Sequence, residues 1–126
     1  MLMHTVLFKP RPDLPDDDRR ALESALMSAL SGIPAIRSFR LGRRVKHGAL
    51  YEGSMREDLE FAAFVEFDDL DSLKAYLQHP AHQELGSRFM AATAAGLIYD
   101  YQVVDGTDLR GVLEGSRVRP SGGRGS

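Results

Sequence analysis

The sequence predicts a single α+β domain whose elements follow one another in the order β-α-β-β-α-β. Three observations support this fold class. Alternating apolar residues open the chain, amphipathic helical segments lie between further strand-like segments, and a length of 126 residues fits one domain. When such elements form a four-stranded antiparallel sheet with its helices on one face, the arrangement is ferredoxin-like.

The first half of the chain predicts a strand, a helix and a second strand. Residues 3–9 alternate between two faces, as strand residues do. Residues 16–18 are all aspartate, which suits the positive end of a helix dipole, and apolar residues at helical spacing follow them. Gly32 and Pro34 end this helix. Residues 36–45 mix β-branched, aromatic and basic side chains and predict the second strand.

The third strand and the helix after it give the clearest signals. Residues 47–57 are polar and contain glycine, which indicates a loop before this strand. Residues 60–67 alternate regularly, and Asp68 and Asp69 then provide caps for a helix. The pair His79-Pro80 interrupts that helix, because the residue before a proline avoids the helical region.

The last part of the domain is predicted to contain a short helix and a final strand. The helix spans residues 81–92, and Gly96 opens a strand over residues 97–103. From Asp105 the chain is rich in glycine and poor in apolar residues. We therefore expect a domain of residues 1–104 followed by a mobile Gly/Arg-rich tail of residues 105–126.

The predicted strands are apolar on both faces, and this predicts a partner. Phe61 and Phe67 lie on one face of the third strand and Phe64 on the other. The helices cover only one face, and a monomer rarely exposes a large contiguous apolar patch. A homodimer that pairs sheet on sheet would cover the second face, giving a dimeric α/β barrel.

Composition excludes several classes of function. With a formal net charge of −2, the chain lacks the basic footprint of a nucleic-acid-binding protein. It has no cysteine, so disulfides, zinc–thiolate sites and thiol nucleophiles are excluded. We expect no cofactor and no metal, since the four histidines lack helical ligand spacing. No apolar run is long enough for a membrane span and the start does not resemble a signal peptide, so the expected location is the cytoplasm.

Four segments in the same order resemble the stress-responsive A/B-barrel (Dabb) family. They are the opening HTVLFK, the turn IPAI, the run AYLQHPAH and the ending IYDY, at residues 4–9, 33–36, 75–82 and 98–101. The likeness extends over residues 3–103. It implies a dimeric α+β barrel. Most proteins of this family have no known activity, and one branch resembles polyketide cyclases such as olivetolic acid cyclase.

The resemblance also implies site residues. In the cyclase branch, a cavity between the sheet and its helices holds a histidine, a tyrosine and a second histidine, and these fall on His4, Tyr76 and His82. A further histidine of the plant cyclase falls on Phe61, and this departure argues against the same substrate.

The first hypothesis is a cofactor-independent acid/base enzyme, such as a cyclase or lyase, acting on a small, polyketide-like carbonyl compound. His82 would be the general base, Tyr76 the hydrogen-bonding acid, and His4 an orienting group. The expected substrate-binding residues are apolar and come from strands and helices: Val6, Phe8, Leu22, Leu26, Phe61, Ala63, Leu77, Leu85 and Ile98.

Two other hypotheses remain open. In the first, the protein is a non-catalytic stress-responsive or ligand-binding barrel, and His82 only fastens the helix junction. An open pocket of about 300 Å³ or more touching His82 and Tyr76 would favour the enzyme, and a filled core would favour the barrel. In the second, the protein is a cofactor-free monooxygenase, although the chain has no tryptophan, which is often expected near that chemistry.

The sequence contains two further, weaker signals. Basic residues cluster between Arg37 and Lys46, and they form either a solvated strand edge or an anchor for an anionic substrate group. The backbone carbonyls of the turn at Leu30–Ile36 are a less favoured candidate for weak cation binding.

Overall fold

The computed structural model describes residues 1–115 and confirms the ferredoxin-like sheet. Its antiparallel strands lie in the order β2-β3-β1-β4. They are β1 (Leu2–Pro10), β2 (Ser38–Arg43), β3 (Phe61–Phe67) and β4 (Thr93–Gln102). The longer helices are α1 (Asp16–Gly32), α3 (Leu70–Gln78) and α4 (Pro80–Ala92), and the short ones are α2 (Leu50–Ser54) and α5 (Leu109–Gly115). No helix within the described part of the chain has the length and apolar character needed to cross a membrane.

Several element boundaries differ from those expected. β2 is shorter, because it pairs with β3 only between Ser38 and Arg43. The loop over residues 47–57 contains α2, which the Glu52 carboxylate stabilises by accepting hydrogen bonds from the backbone N–H groups of His47 and Gly48 at 2.7 and 2.9 Å. β4 begins before Gly96 rather than after it, since its pairing with β1 continues to Thr93.

The expected tail begins with regular structure. A 3-10 turn spans Gly106–Asp108 and leads directly into α5. The Asp105 carboxylate starts this turn by accepting a hydrogen bond from the Thr107 backbone N–H at 3.1 Å. Residues 106–115 therefore have regular structure, residues 116–126 lie outside the described part, and the mobility of the tail stays a prediction. The domain boundary at residue 104 stays a prediction.

The break between α3 and α4 falls at the predicted position. Pro80 is the first residue of α4, where its missing N–H is tolerated. The His79 side chain caps this helix, since its Nδ1 accepts a hydrogen bond from the Ala81 N–H at 3.0 Å. The junction therefore has its own cap, and the side chain of His82 is not needed for it.

The strand register decides which side chains face the helices. His4 lies opposite Val65 of β3 and Asp100 of β4, and Phe8 lies opposite Phe61 and Gly96. Directly opposed residues share one face of a sheet. The inner face thus carries every second residue of each strand, in β1 from Leu2 through the buried His4 to Phe8.

The packed core occupies one end of this inner face. Its buried residues come from α1, β3, α3 and the turn after α1: Ala29, Ile33, Val65, Phe67, Leu73 and Tyr76. Among residues 1–115, Phe67 is the largest fully buried side chain. Further along the same face, towards Phe8, the space between helices and sheet is open.

Candidate active site

A cavity of about 180 Å³ lies between the inner face of the sheet and the helices. Its walls are almost entirely apolar, and its polar lining residues are His4, Tyr76 and His82. Partly exposed lining residues lie on both edge strands, with Leu41 on β2 and Ile98 on β4. The cavity is smaller than about 300 Å³, the usual lower size of a ligand pocket, but it is not a filled core.

Most of the residues expected to line a pocket do line this cavity. Phe61 and Leu77 do not: Phe61 packs behind Phe8, with ring centroids 5.7 Å apart, and Leu77 packs against the core. The sequence did not point to seven other lining residues, which are Leu30, Phe39, Leu41, Val65, Gly86, Phe89 and Met90. Gly86 adds to the open space, since a Cβ built there would meet no atom within 4 Å.

His4 is held by a carboxylate. Its Nδ1 lies 2.6 Å from Oδ1 of Asp100, on the neighbouring strand β4. The imidazole is buried, whereas the Asp100 side chain remains 42% exposed. In a neutral imidazole this contact places the proton on Nδ1, which donates to the carboxylate and leaves Nε2 as an acceptor. Asp100 thus fixes both the orientation and the tautomer of His4.

Asp100 is a site residue to which the sequence did not point. The sequence did contain a signal for Asp100, because alternation along β4 puts it on the same face as Ile98. A carboxylate on an inner strand face needs a partner, and the strand register places it opposite His4.

Tyr76 of α3 lies at the boundary between the core and the cavity. Its ring contacts three others, with centroid distances of 5.0 Å to Phe67, 5.6 Å to His4 and 4.6 Å to His82. Burial, with a smaller contribution from the negative charge of Asp100, raises the pKa of Tyr76 to about 12. The hydroxyl is therefore protonated at neutral pH, and no residue among 1–115 accepts a hydrogen bond from it. It is available as a donor.

His82 of α4 completes the polar end of the cavity. Burial lowers the pKa of its imidazole below the ordinary value of 6.5, and the electrostatic effect of His4 acts in the same direction. The Leu77 backbone carbonyl opposes this shift only in part. At neutral pH the side chain is therefore an unprotonated base. Its Nδ1 is buried and forms no hydrogen bond of good geometry within residues 1–115, so its contact with the Leu77 carbonyl is weak.

The three predicted polar residues are thus brought together. A free imidazole base and a protonated phenol lie side by side, and a second imidazole fixed by a carboxylate is in contact with the phenol. A base next to a hydrogen-bond donor is the arrangement that removes a proton and stabilises the resulting oxyanion. No cluster of three or more potential metal-ligating side chains occurs within residues 1–115.

Comparison with known sequences identifies the family. The sequence model of the stress responsive A/B barrel (Dabb) domain matches residues 2–103. The chain belongs to the Dabb family. The match spans all four strands of the sheet and ends one residue after β4, so α5 lies beyond the matched residues.

Proteins similar in sequence or in fold to this Dabb protein come from bacteria and from a plant. An uncharacterized protein of Streptomyces coelicolor is 32% identical over 107 residues, which cover 81% of this chain and 99% of the relative. A dimeric ferredoxin-like protein of unknown function from Bacteroides fragilis is 27% identical, with a TM-score of 0.57 over 81% of this chain and 95% of that one. A hydroxynitrile lyase from Passiflora edulis shares the fold, with a TM-score of 0.67 at 13% identity over 82% and 94% of the two chains.

Proposed function

We propose that this Dabb protein is a cofactor-independent acid/base enzyme that acts on a small carbonyl compound. The observation that carries the proposal is the contact between the unprotonated base His82 and the protonated donor Tyr76 at the polar end of an apolar cavity. His82 removes a proton from the substrate and returns it. Tyr76 donates a hydrogen bond to the carbonyl oxygen, on which negative charge develops.

His4 acts as an orienting group in this proposal. Because Asp100 holds its Nδ1, the imidazole contacts the Tyr76 ring in a fixed edge-on geometry. Burial keeps Tyr76 protonated, and the negative charge of Asp100 raises the Tyr76 pKa further. His4 and Asp100 are therefore positioning residues, and Tyr76 and His82 are the groups that meet the substrate.

Cavity size favours a small substrate. A dry apolar cavity of about 150 Å³ accommodates a benzene molecule. The cavity of about 180 Å³ therefore suits the body of a single-ring compound better than a long poly-β-keto chain. Cyclisation and lyase chemistry both need a base and an oxyanion donor. The hydroxynitrile lyase from Passiflora edulis, which shares the fold, makes lyase chemistry a reasonable form of the reaction.

Hydrogen exchange tests this function without knowledge of the natural substrate. The methyl protons of acetophenone, a single-ring ketone, exchange with solvent after removal by a base, and NMR in D2O follows their loss. We expect the protein to accelerate this exchange well above the rate in buffer. Exchange no faster than in buffer at saturating ketone would contradict the enzyme and favour the non-catalytic barrel.

We also propose that the protein is a homodimer formed through the outer face of the sheet. In the single chain this face exposes large apolar side chains, among them Phe64, Leu97, Tyr99 and Tyr101. Such a patch is more than an isolated protein normally leaves in water. The similar Bacteroides fragilis protein is described as dimeric, which supports a homodimer.

Leu97→Asp is expected to disrupt this dimer. The substitution places a carboxylate from each protomer in an apolar interface, and an unpaired interfacial charge costs several kcal/mol. We expect the dimer dissociation constant to rise about 100-fold or more in sedimentation velocity. Met27→Asp is the matched control, because Met27 is an exposed apolar residue of α1. A monomeric parent at micromolar concentration, or a Leu97→Asp variant as dimeric as the parent, would contradict the proposed interface.

A further inference from the structure

The inner face of β2 continues past the cavity to a cationic side chain. Leu41 lines the cavity, and Arg43 is the next residue on the same face. The Arg43 guanidinium carbon lies 5.4 Å from the centroid of the Phe61 ring, which packs 5.7 Å from the ring of the cavity residue Phe8. The Phe61 ring therefore lies between the guanidinium and the cavity wall at Phe8.

Within residues 1–115, Arg43 differs from Arg44 and Lys46 in having no ionic partner. Arg44 and Lys46 both bind Asp58, with N–O distances of 2.6 and 3.1 Å. No residue within 1–115 pairs a carboxylate with Arg43. Glu60 shares the cleft with these four side chains, so three cations face two carboxylates and the cleft keeps one net positive charge.

Arg43 lies at the opposite end of the inner face from the proposed reacting groups. His4, which marks the reacting end, and Phe8 are four residues apart on β1, which corresponds to about 13 Å along an extended strand. Between them the cavity walls are apolar. A ligand that fills this space would have a polar group at His82, an apolar body, and a second end directed towards Arg43.

We infer that Arg43 anchors an anionic group of the cavity's ligand, so that the substrate is an apolar-bodied carbonyl compound bearing a carboxylate at its far end. The identity of the reacting end rests on the proposed function. The planar guanidinium suits a carboxylate, to which it donates two parallel hydrogen bonds. The exposed Arg43 side chain lies one inner-face position beyond the exposed cavity residue Leu41, so the anionic end stays in solvent while the ring is buried.

Two matched probes test the anchor by binding alone. They are 3-(4-acetylphenyl)propanoate and its methyl ester, which share the ketone and the ring and differ in the charge. We expect the parent protein to bind the carboxylate more tightly in an NMR titration. Hydrogen bonds to a charged group contribute about 1.5–3 kcal/mol, so Arg43→Gln is expected to weaken carboxylate binding at least about 10-fold. Binding of the ester should stay within about 2-fold.

Arg37→Gln is the control, because Arg37 is an exposed arginine whose ion pair with Asp68 lies outside the cavity, so the change should leave both affinities unchanged. Equal binding of the two probes by the parent, or unchanged carboxylate binding by Arg43→Gln, would overturn the anchor. That failure is distinguishable from failure of the proposed function. Exchange of acetophenone, which has no carboxylate, does not depend on Arg43, and the preference for the carboxylate probe does not depend on His82.

Discussion

Replacement of His82 by alanine is expected to reduce acetophenone exchange by about 10²–10⁴-fold, the usual contribution of a positioned general base. The imidazole is the unprotonated group at the polar end of the cavity, and the other nearby imidazole is already held by Asp100. Exchange rates of parent and variant, measured at the same ketone concentration and pH, give the ratio directly.

The stability of the His82→Ala variant separates a base from a structural residue. His79, not His82, caps α4, so we expect the variant to fold with a melting temperature close to that of the parent. His79→Ala is the matched control at the same junction. It should lower the free energy of unfolding by about 0.5–2 kcal/mol through loss of the cap and retain most of the exchange activity. An active His82→Ala protein would exclude His82 as the base.

Asp100→Asn is expected to reduce the exchange rate by about 10- to 100-fold, a typical contribution of a carboxylate that orients an imidazole. The amide keeps the size of the side chain but removes the charge that fixes the tautomer of His4 and favours the protonated form of Tyr76. If Asp100 had only a structural role, its replacement would leave the titration of Tyr76 unchanged, so this titration distinguishes the two roles. The Tyr76 pKa should fall in the variant, as followed by the ultraviolet absorbance of tyrosinate.

Asp68→Asn is the control for Asp100, because Asp68 is an exposed aspartate whose ion pair with Arg37 lies outside the cavity. It should leave both the exchange rate and the Tyr76 titration unchanged. An Asp100→Asn variant with the parent's rate and the parent's Tyr76 pKa would remove Asp100 and His4 from the proposed mechanism.

The sheet and the helix break are predictable because they depend on local signals. Alternation along residues 3–9 fixes which side chains of β1 share a face, and His79-Pro80 must interrupt a helix whatever surrounds it. The length of β2 is not local, since it depends on how much of β3 is available for pairing. The helix α2 depends on one side-chain contact, between Glu52 and the backbone of the preceding turn.

The candidate site is predictable only in part, because some of its residues meet through pairing between distant strands. His4, Tyr76 and His82 belong to segments that the family resemblance points to, whereas Asp100 joins them only through the register between β1 and β4. The volume of the cavity is not encoded in any single residue. It results from how the helices pack over the sheet and from the missing side chain of Gly86.

The pH dependence of acetophenone exchange tests the role of His82 most directly. A base must be unprotonated to act, and the pKa of His82 is lowered below 6.5. The rate should therefore be constant near neutral pH and fall as the pH decreases through the His82 pKa. An NMR titration of the His82 imidazole should give the same midpoint, below pH 6.5. A rate that does not change while this imidazole titrates, or a midpoint above 6.5, would contradict His82 as the general base.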